Sequence, residues 1–177
     1  VRPLVLLLGA EGARDELCAL LAPRISGRVL RTRDLAAAAC GEAGALGEQL
    51  RGLVKAKKVV PAPLQLHLLK RVMAGADAAA SDDVAVDLLT DFPRSAGQLN
   101  QLEHAVGKVL CAVHIEGTGD SLAKSVARPL RAGGRVVDVP RGGAGLANVL
   151  AHLAALGIKT HEPRTPPPPP VAQMEPL

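Results

Sequence analysis

The stretch that decides the fold runs from Pro3 to Leu17 and reads Pro-Leu-Val-Leu-Leu-Leu-Gly-Ala-Glu-Gly-Ala-Arg-Asp-Glu-Leu. Its first part, Pro3–Leu8, is almost continuously apolar, which is typical of a strand covered on both faces of a parallel sheet. It leads into Ala13–Leu21, where apolar residues recur at helical spacing until Pro23 ends the pattern. A strand that turns directly into a helix is the opening unit of an α/β fold.

Strand-like and helix-like segments alternate along the rest of the chain. The further apolar runs are Arg28–Leu30, Val84–Leu89, Lys108–Ile115 and Arg135–Val139, and the helical stretches are Asp34–Cys40, Leu46–Lys57, one that starts near Pro63, Ser95–Val106, Ser121–Leu130 and Leu146–Leu156, with Gly157 as a C-terminal cap. This alternation predicts a three-layer α/β domain over residues 1–159, with five parallel strands and helices on both faces of the sheet.

Residues 160–177 differ from the rest in composition, with five consecutive prolines at Pro166–Pro170. Proline runs favour an extended backbone without internal hydrogen bonds, so a poorly ordered tail is predicted. Such a run is also the kind of ligand that polyproline-binding domains take. A protein partner at the tail is therefore the alternative to a plain tail.

The composition of the 177 residues narrows the classes of function. There is no Trp or Tyr and Phe92 is the single Phe, which argues against the base stacking that single-stranded nucleic-acid binding requires. The formal charge of +4 comes from scattered basic residues with one short cluster at Lys55, Lys57 and Lys58, whereas a nucleic-acid footprint is a denser stripe. We expect no nucleic-acid partner, while a basic pocket for a phosphorylated nucleotide stays compatible with the charge.

Cysteine usage and hydropathy predict a cytoplasmic protein without membrane contact, and we expect a monomer. The cysteines at 18, 40 and 111 are far apart and odd in number, which indicates reduced thiols rather than a disulfide framework or a zinc site. The apolar run Leu4–Leu8 is too short for the core of a signal peptide, and no run approaches a membrane span. His114, inside an apolar run, is typical of a satisfied core histidine, and the carboxylates of Glu116, Asp120 and Asp138 have no partner visible in the sequence.

The segment after the first strand occupies the place of a phosphate-binding loop, whose pattern is G-x-x-x-x-G-K-[ST]. Gly9 fits the pattern, but Arg14 stands at the second glycine and Asp15 at the lysine, and no Ser or Thr follows Glu16. The lysine would neutralise charge on the transferring phosphoryl group, and the hydroxyl would contact magnesium. On its own the segment is interpreted as an ordinary strand–helix turn with acidic residues that suit the helix dipole.

Several segments in order resemble the adenylate kinases and the related UMP-CMP kinases. Gly9–Leu17 is similar to the family's GxPGSGKGT and keeps Gly9 and Gly12; Leu30–Leu35 is similar to LSTGDLLR, Val59–Pro61 to LVP, and Thr90–Arg94, followed by Gln98 and Glu103, to DGFPR with its downstream residues. The resemblance covers about residues 3–157 and implies a P-loop fold with five parallel strands. It also implies a nucleoside-monophosphate site in which Thr32 and Val60 contact the nucleotide, Arg94 binds its phosphate and Gln98 reads the base.

The chain also departs from this family. The arginine expected shortly after Asp34 is missing, because that region is an alanine run, 36–39, and the metal-side carboxylate of DGFPR is displaced to Asp91. The arginine-bearing lid that would follow the fourth strand has no room before the helix at Ser121. Arg128 and Arg131 are candidates to replace its arginines, although ordinary helix-surface residues explain them as well.

Three hypotheses follow from this pattern. The first is a catalytically impaired pseudoenzyme that keeps part of the monophosphate site, binds a nucleoside monophosphate weakly and serves as a binding or scaffolding module. The second is an active nucleoside-monophosphate kinase with an atypical loop, which alone would require Mg-ATP; no other cofactor is expected. The third is a structural domain of a larger multi-domain kinase or ciliary-type assembly. No catalytic residue is predicted, since the lysine position is Asp15.

Overall fold

The computed structural model describes residues 2–77, 86–117 and 119–162. The first two residues of the predicted third strand, Val84 and Ala85, and the proline run Pro166–Pro170 lie outside the described residues. At the start of the predicted tail, His161 still contacts the domain. Its backbone N–H donates to the carbonyl of Arg24 and its own carbonyl accepts from Arg24 Nε, both at 2.6 Å.

Five strands form one parallel sheet. They are β1 (Leu4–Leu8), β2 (Arg28–Leu30), β3 (Asp87–Leu89), β4 (Cys111–Ile115) and β5 (Val136–Val139), in the spatial order β2-β3-β1-β4-β5. β1 lies in the centre, where its backbone pairs with β3 on one side and β4 on the other. All five of its residues are buried, as its unbroken apolar sequence predicts.

Seven α-helices are found in the described residues. They are α1 (Glu11–Leu21), α2 (Thr32–Cys40), α3 (Ala45–Lys55), α4 (Ala62–Asp77), α5 (Ala96–Val106), α6 (Ser121–Ala132) and α7 (Leu146–Ala155), with short 3-10 turns at Ala22–Arg24 and Gly143–Gly145. The predicted α/β class is confirmed, and the architecture is compatible with a three-layer P-loop-like fold.

The core divides along the two faces of the sheet because successive strand residues point to opposite sides. Leu4, Leu6 and Leu8 of β1 pack in a cluster with residues of α4, α5 and α6. Val5 and Leu7 pack in the other cluster with residues of α1 and α7. Helices therefore cover both faces, and the sheet's carboxyl edge is left as the place for a ligand.

The last helix ends as the sequence predicts. Gly157 has a φ of 88°, and its N–H donates to the Ala154 carbonyl at 3.0 Å. The next N–H, of Ile158, donates to the Leu153 carbonyl at 2.9 Å, and both of these side chains are buried in one cluster. This is a Schellman cap, in which the glycine adopts the left-handed conformation that other residues avoid.

A buried ion pair fixes the edge strand that leads to the site. Asp87 of β3 is fully buried, and its carboxylate accepts hydrogen bonds from Arg28 of β2 at 2.8 and 3.0 Å. A bidentate pair of this kind fixes the relative position of its two strands. The carboxyl end of β2, and with it the start of α2 at Thr32, is thereby held beside the end of β3.

Candidate functional site

A cavity of about 460 Å³ opens at the carboxyl edge of the sheet, between the start of α2, the start of α4 and the segment between β3 and α5. Thr32, Val60, Arg94 and Gln98, which the resemblance to the kinases singles out, all line it. The other lining residues are Glu11, Arg14, Arg33, Val59, Pro61, Ala62, Gln65 and Asp91. Three segments far apart in the sequence thus meet in one concave place.

The N-terminus of α2 is capped from another strand. Asp91, just after β3, accepts hydrogen bonds from the Thr32 N–H at 2.8 Å, the Thr32 hydroxyl at 3.1 Å and the Arg33 N–H at 3.1 Å. A carboxylate suits this place because the first N–H groups of a helix are unpaired and carry partial positive charge. A phosphate at the same helix end would have to compete with Asp91 for these donors.

Arg94 and Gln98 are joined by the cap of α5. Ser95 is the N-cap, and its hydroxyl accepts from the Gln98 N–H at 3.2 Å, while the Gln98 side-chain oxygen accepts from the Arg94 N–H at 2.8 Å. The helix starts at Ala96, after Arg94, so the two side chains do not share a helix face. The capping bond brings the two residues together instead.

The Arg94 side chain is exposed and lightly held. Its Nε donates to the Asp91 carbonyl at 3.3 Å, and its guanidinium pairs with no carboxylate among the residues 2–77, 86–117 and 119–162. A guanidinium without an internal counter-charge can bind a phosphate bidentately.

The segment that follows β1 differs most from its predicted structure. The predicted connection, Gly9–Glu16, is reduced to Gly9 and Ala10, because α1 begins at Glu11 and its first turn closes with a 3.0 Å bond from the Arg14 N–H to the Ala10 carbonyl. Gly9 is buried with a φ of 142°. Gly12 lies inside the first helical turn, exposed to solvent. The N–H groups from Arg14 onward belong to the helix, so the segment lacks the extended loop that would surround phosphates.

Acidic residues of α1 form ion pairs with arginines beside β2. The Asp15 carboxylate accepts from Arg31 Nη2 at 2.7 Å, and Glu11 accepts from Arg33 Nη1. The hydrogen bond and the charge of Arg33 hold the pKa of the Glu11 carboxyl below its ordinary value. These two arginines are therefore neutralised within the protein.

A second cavity of about 170 Å³ adjoins the first, and the two share Glu11, Arg14 and Arg94. Gly9 and Asp120 also line the smaller cavity, whereas Gly12 lines neither. Arg14 donates from Nη1 to the Thr90 carbonyl at the end of β3. From the sequence, Arg14 was interpreted only as a replacement of the second glycine of the phosphate-loop pattern. Its position between two cavities depends on the fold, and no local sequence pattern predicts it.

The predicted absence of a long lid segment agrees with the spacing of the elements, since β4 ends at Ile115 and α6 starts at Ser121. Asp120 caps α6 by accepting from the Leu122 N–H at 2.9 Å and the Ala123 N–H at 3.3 Å. The interpretation of Asp120 as a carboxylate without a partner is thus wrong, because it satisfies the free N–H groups of the helix start.

Arg131 lines neither the 460 Å³ nor the 170 Å³ cavity. It donates to both oxygens of Asp138, at 2.5 and 2.8 Å, and Asp138 also contacts His114 Nδ1 at 2.8 Å. The hydrogen bonds from Arg131 lower the pKa of the Asp138 carboxyl. His114 is confirmed as a satisfied, buried histidine, while Asp138, expected to be unpartnered, has two partners. Together with Arg128 they line a separate cavity of about 360 Å³.

Two further residue groups of the resemblance have structural roles. Ala36 and Ala39 are buried against Leu50 and Leu68, so the alanine run lets α2 pack closely on its neighbours where the family has an arginine. Glu103 accepts from Arg135 Nη1 at 2.6 Å and from the Val109 N–H at 3.0 Å. It fixes the approach to β4 and lies outside the cavity lining.

The described parts of the chain lack two other classes of feature, a metal-binding cluster and a membrane-spanning helix. No group of three His, Cys, Asp or Glu side chains there is arranged to hold a metal ion. None of the described helices has the length and apolarity to cross a membrane. The three cysteines are free thiols, as predicted, and burial raises the pKa of Cys18 and raises that of Cys111 to about 12, which keeps these two protonated.

In comparisons with known proteins, no family model and no curated protein matches this chain. The resemblance to nucleoside-monophosphate kinases therefore rests on the order and spacing of its short segments.

Proposed function

We propose that this chain is a catalytically impaired relative of the nucleoside-monophosphate kinases that binds a nucleoside monophosphate weakly and serves as a binding or scaffolding module. The observation that carries the proposal is the cavity in which Thr32, Val60, Arg94 and Gln98 meet. These residues were selected from sequence motifs in three distant segments. Their convergence supports a shared ligand better than it supports three unrelated structural roles.

The shape of the cavity suits a nucleotide with its phosphate at Arg94. Val59, Val60 and Pro61 give one wall apolar surface for a base or ribose, and Gln65 and Gln98 supply amide groups. Arg94 offers a guanidinium without a carboxylate partner in the described structure. A few polar groups around an apolar wall are the usual composition of a small-molecule site.

Weak affinity follows from two features of the same cavity. Asp91 places a carboxylate on the Thr32 N–H and hydroxyl, which are donors that a phosphate would otherwise use. Ala36 and Ala39 are buried in helix packing, so no arginine from that part of α2 reaches the cavity. A nucleotide phosphate thus has fewer cationic partners than the family pattern implies.

Impaired phosphoryl transfer follows from the β1–α1 connection. Transfer depends almost entirely on positioning the phosphates and neutralising their charge. Here the connection is Gly9-Ala10, and Asp15 stands in α1 at the lysine position, paired with Arg31. The scale of such charge effects is shown by the arginine finger of nucleotide hydrolases, which is worth a factor of about 10³–10⁵ in turnover.

Chemical-shift mapping of the full chain with AMP, CMP and UMP tests the proposal. We expect saturable shifts around Thr32, Val60 and Gln98, and an at least roughly tenfold loss of affinity in Arg94→Ala. Arg51→Ala is the matched control, because Arg51 also donates to backbone carbonyls, those of Cys40 and Glu42, but lines neither cavity. If Arg94→Ala leaves every shift unchanged, the cavity is not a nucleotide site.

The alternative is an active nucleoside-monophosphate kinase, and the largely retained monophosphate half of the site favours it. A coupled assay with Mg-ATP and AMP, CMP or UMP separates the two functions. We expect ADP formation at least about 10³-fold slower than the 1–100 s⁻¹ typical of kinases. Turnover in that typical range would establish the kinase and refute the impaired module.

A further inference from the structure

Arg14 is the residue whose position the resemblance to the kinases does not explain. It lies in α1 and borders both the 460 Å³ and the 170 Å³ cavity, as Arg94 does from the other side of the sheet edge. In the family pattern this position is a glycine. The chain thus has a cation where the pattern has none, next to the cavity from which the pattern's second arginine is missing.

The hydrogen bonds of Arg14 leave much of its guanidinium unused. Nη1 donates to the Thr90 carbonyl, which holds the side chain across the end of β3. Nε is buried and has no hydrogen-bond partner among the described residues.

The arginines of α2 and its approach form ion pairs with carboxylates, whereas Arg14 does not within the described residues. Arg31 also has a buried Nε without a partner, but its terminal nitrogens pair with Asp15 and Asp34 at 2.7 and 3.9 Å. Arg33 pairs with Glu11. Arg14 and Arg94 are the cavity-lining arginines that have no ion-pair partner within the described residues, whereas Glu11, which lines both cavities with them, is paired with Arg33.

We infer that Arg14 is a phosphate-binding residue that replaces the missing arginine of α2, and that it forms with Arg94 a clamp for a single phosphoester group at the junction of the two cavities. The inference rests on the proposed nucleotide site and deepens it. The nucleoside occupies the larger cavity beside Val60 and Gln65, and its phosphate accepts from both guanidinium groups.

The same geometry selects against longer phosphate chains. A second phosphoryl group would extend from the clamp into the smaller cavity, which Asp120 lines. Asp120 accepts from two N–H groups of α6 and is fixed there by them. The carboxylate of Asp120 and a second phosphoryl group carry like charges and repel each other. A monophosphate is therefore preferred over a diphosphate or triphosphate.

The test uses the full chain and five probes: AMP, ADP, ATP, adenosine and inorganic phosphate, each titrated by chemical-shift mapping. We expect Arg14→Gln to weaken AMP binding by roughly 10- to 100-fold and to leave the adenosine response unchanged. Arg14→Lys keeps the charge but loses the planar guanidinium, so its AMP affinity should lie between those of the wild type and Arg14→Gln. ADP and ATP should bind at least about tenfold more weakly than AMP.

Thermal unfolding of each variant separates a loss of binding from a loss of structure, and Arg51→Gln is the control for removing a backbone-bonded arginine elsewhere. If Arg14→Gln unfolds, Arg14→Lys carries the test. An unchanged AMP affinity in folded Arg14 variants, together with a loss in Arg94→Ala, overturns the role of Arg14 and leaves the nucleotide site standing.

Two outcomes separate the clamp from the proposed function. If inorganic phosphate binds in an Arg14-dependent manner and the nucleoside adds no affinity, the clamp stands and the nucleotide function falls. If none of the five probes perturbs the wild-type chain, both are overturned. ATP affinity equal to that of AMP contradicts the selection by Asp120.

Discussion

The two halves of the site lie at the same edge of one sheet, yet they differ in the structure of their backbone. In the half that holds the proposed monophosphate site, Thr32, Val60 and Arg94 border an open cavity of about 460 Å³. In the β1–α1 half, the chain turns from strand to helix within two residues, Gly9 and Ala10. The first half keeps a concave surface with an unpaired guanidinium, whereas the second is closed by its own helical hydrogen bonds.

Under the proposed function, the β1–α1 half would be impaired through its local backbone structure as well as through its side chains. Asp15 in place of lysine removes a cation, but a helix that begins at Glu11 also removes the loop whose N–H groups would face the phosphates. The N–H of Arg14 already donates to the Ala10 carbonyl at 3.0 Å. Restoring the lysine alone would therefore leave the cradle missing.

The largest expected effect comes from removing the carboxylate that caps α2. Asp91→Ala should lower the free energy of unfolding by about 2 kcal/mol, because two backbone N–H groups and the Thr32 hydroxyl lose their acceptor. The same change should raise AMP affinity, since the cavity loses a negative charge and Thr32 becomes available. Urea denaturation and AMP titration measure the two effects, and Asp91→Asn, which keeps an acceptor without the charge, separates capping from electrostatics.

Weaker AMP binding in a folded Asp91→Ala protein would contradict this account. It would mean that Asp91 supports the ligand rather than competing with it for the donors of α2.

Gly9 and Gly12 test the backbone geometry of the β1–α1 half. Gly12→Ala should stabilise the protein by about 0.5–1 kcal/mol, since Gly12 is helical and an added Cβ meets nothing within 4 Å. Gly9→Ala should instead destabilise it by more than about 1 kcal/mol, because the φ of Gly9 is 142°. Denaturant midpoints of the two variants are compared directly. A destabilising Gly12→Ala would indicate that this segment is a loop and not a helix.

The smallest effect is expected from Glu11→Gln, which releases Arg33 into the cavity. We expect a gain of roughly two- to fivefold in AMP affinity, the scale of an exposed ion pair. Because Arg33 lowers the folded-state pKa of Glu11 below its ordinary 4.5, the pair stabilises the fold above that pH and loses this effect as pH falls through the lowered value.

The stability difference between wild type and Glu11→Gln should accordingly be present at pH 7 and vanish on strong acidification, which thermal unfolding across pH measures. A difference that persists once the Glu11 carboxyl is fully protonated would show that the pair is not its source.

The fold was largely predictable because its signals are local. The apolar run Leu4–Leu8, followed by amphipathic spacing, indicated a central strand and a covering helix, and both are present. Short motifs also indicated which residues border the cavity. The starts of α1 and α2, each two residues earlier than predicted, were less predictable, since a helix start depends on which side chain or carbonyl satisfies its first N–H groups.

The sequence by itself determined the alternation of buried strands and covering helices, the free, scattered cysteines and the loss of the lysine at Asp15. Only the tertiary structure decided how the charges are paired. Asp91 caps Thr32 from 59 positions away, and Arg14 reaches the carbonyl of Thr90 from 76 positions away. Such contacts depend on where the parallel strands place their carboxyl ends, and hydrophobic periodicity specifies which residues are buried but not which polar groups meet at that edge.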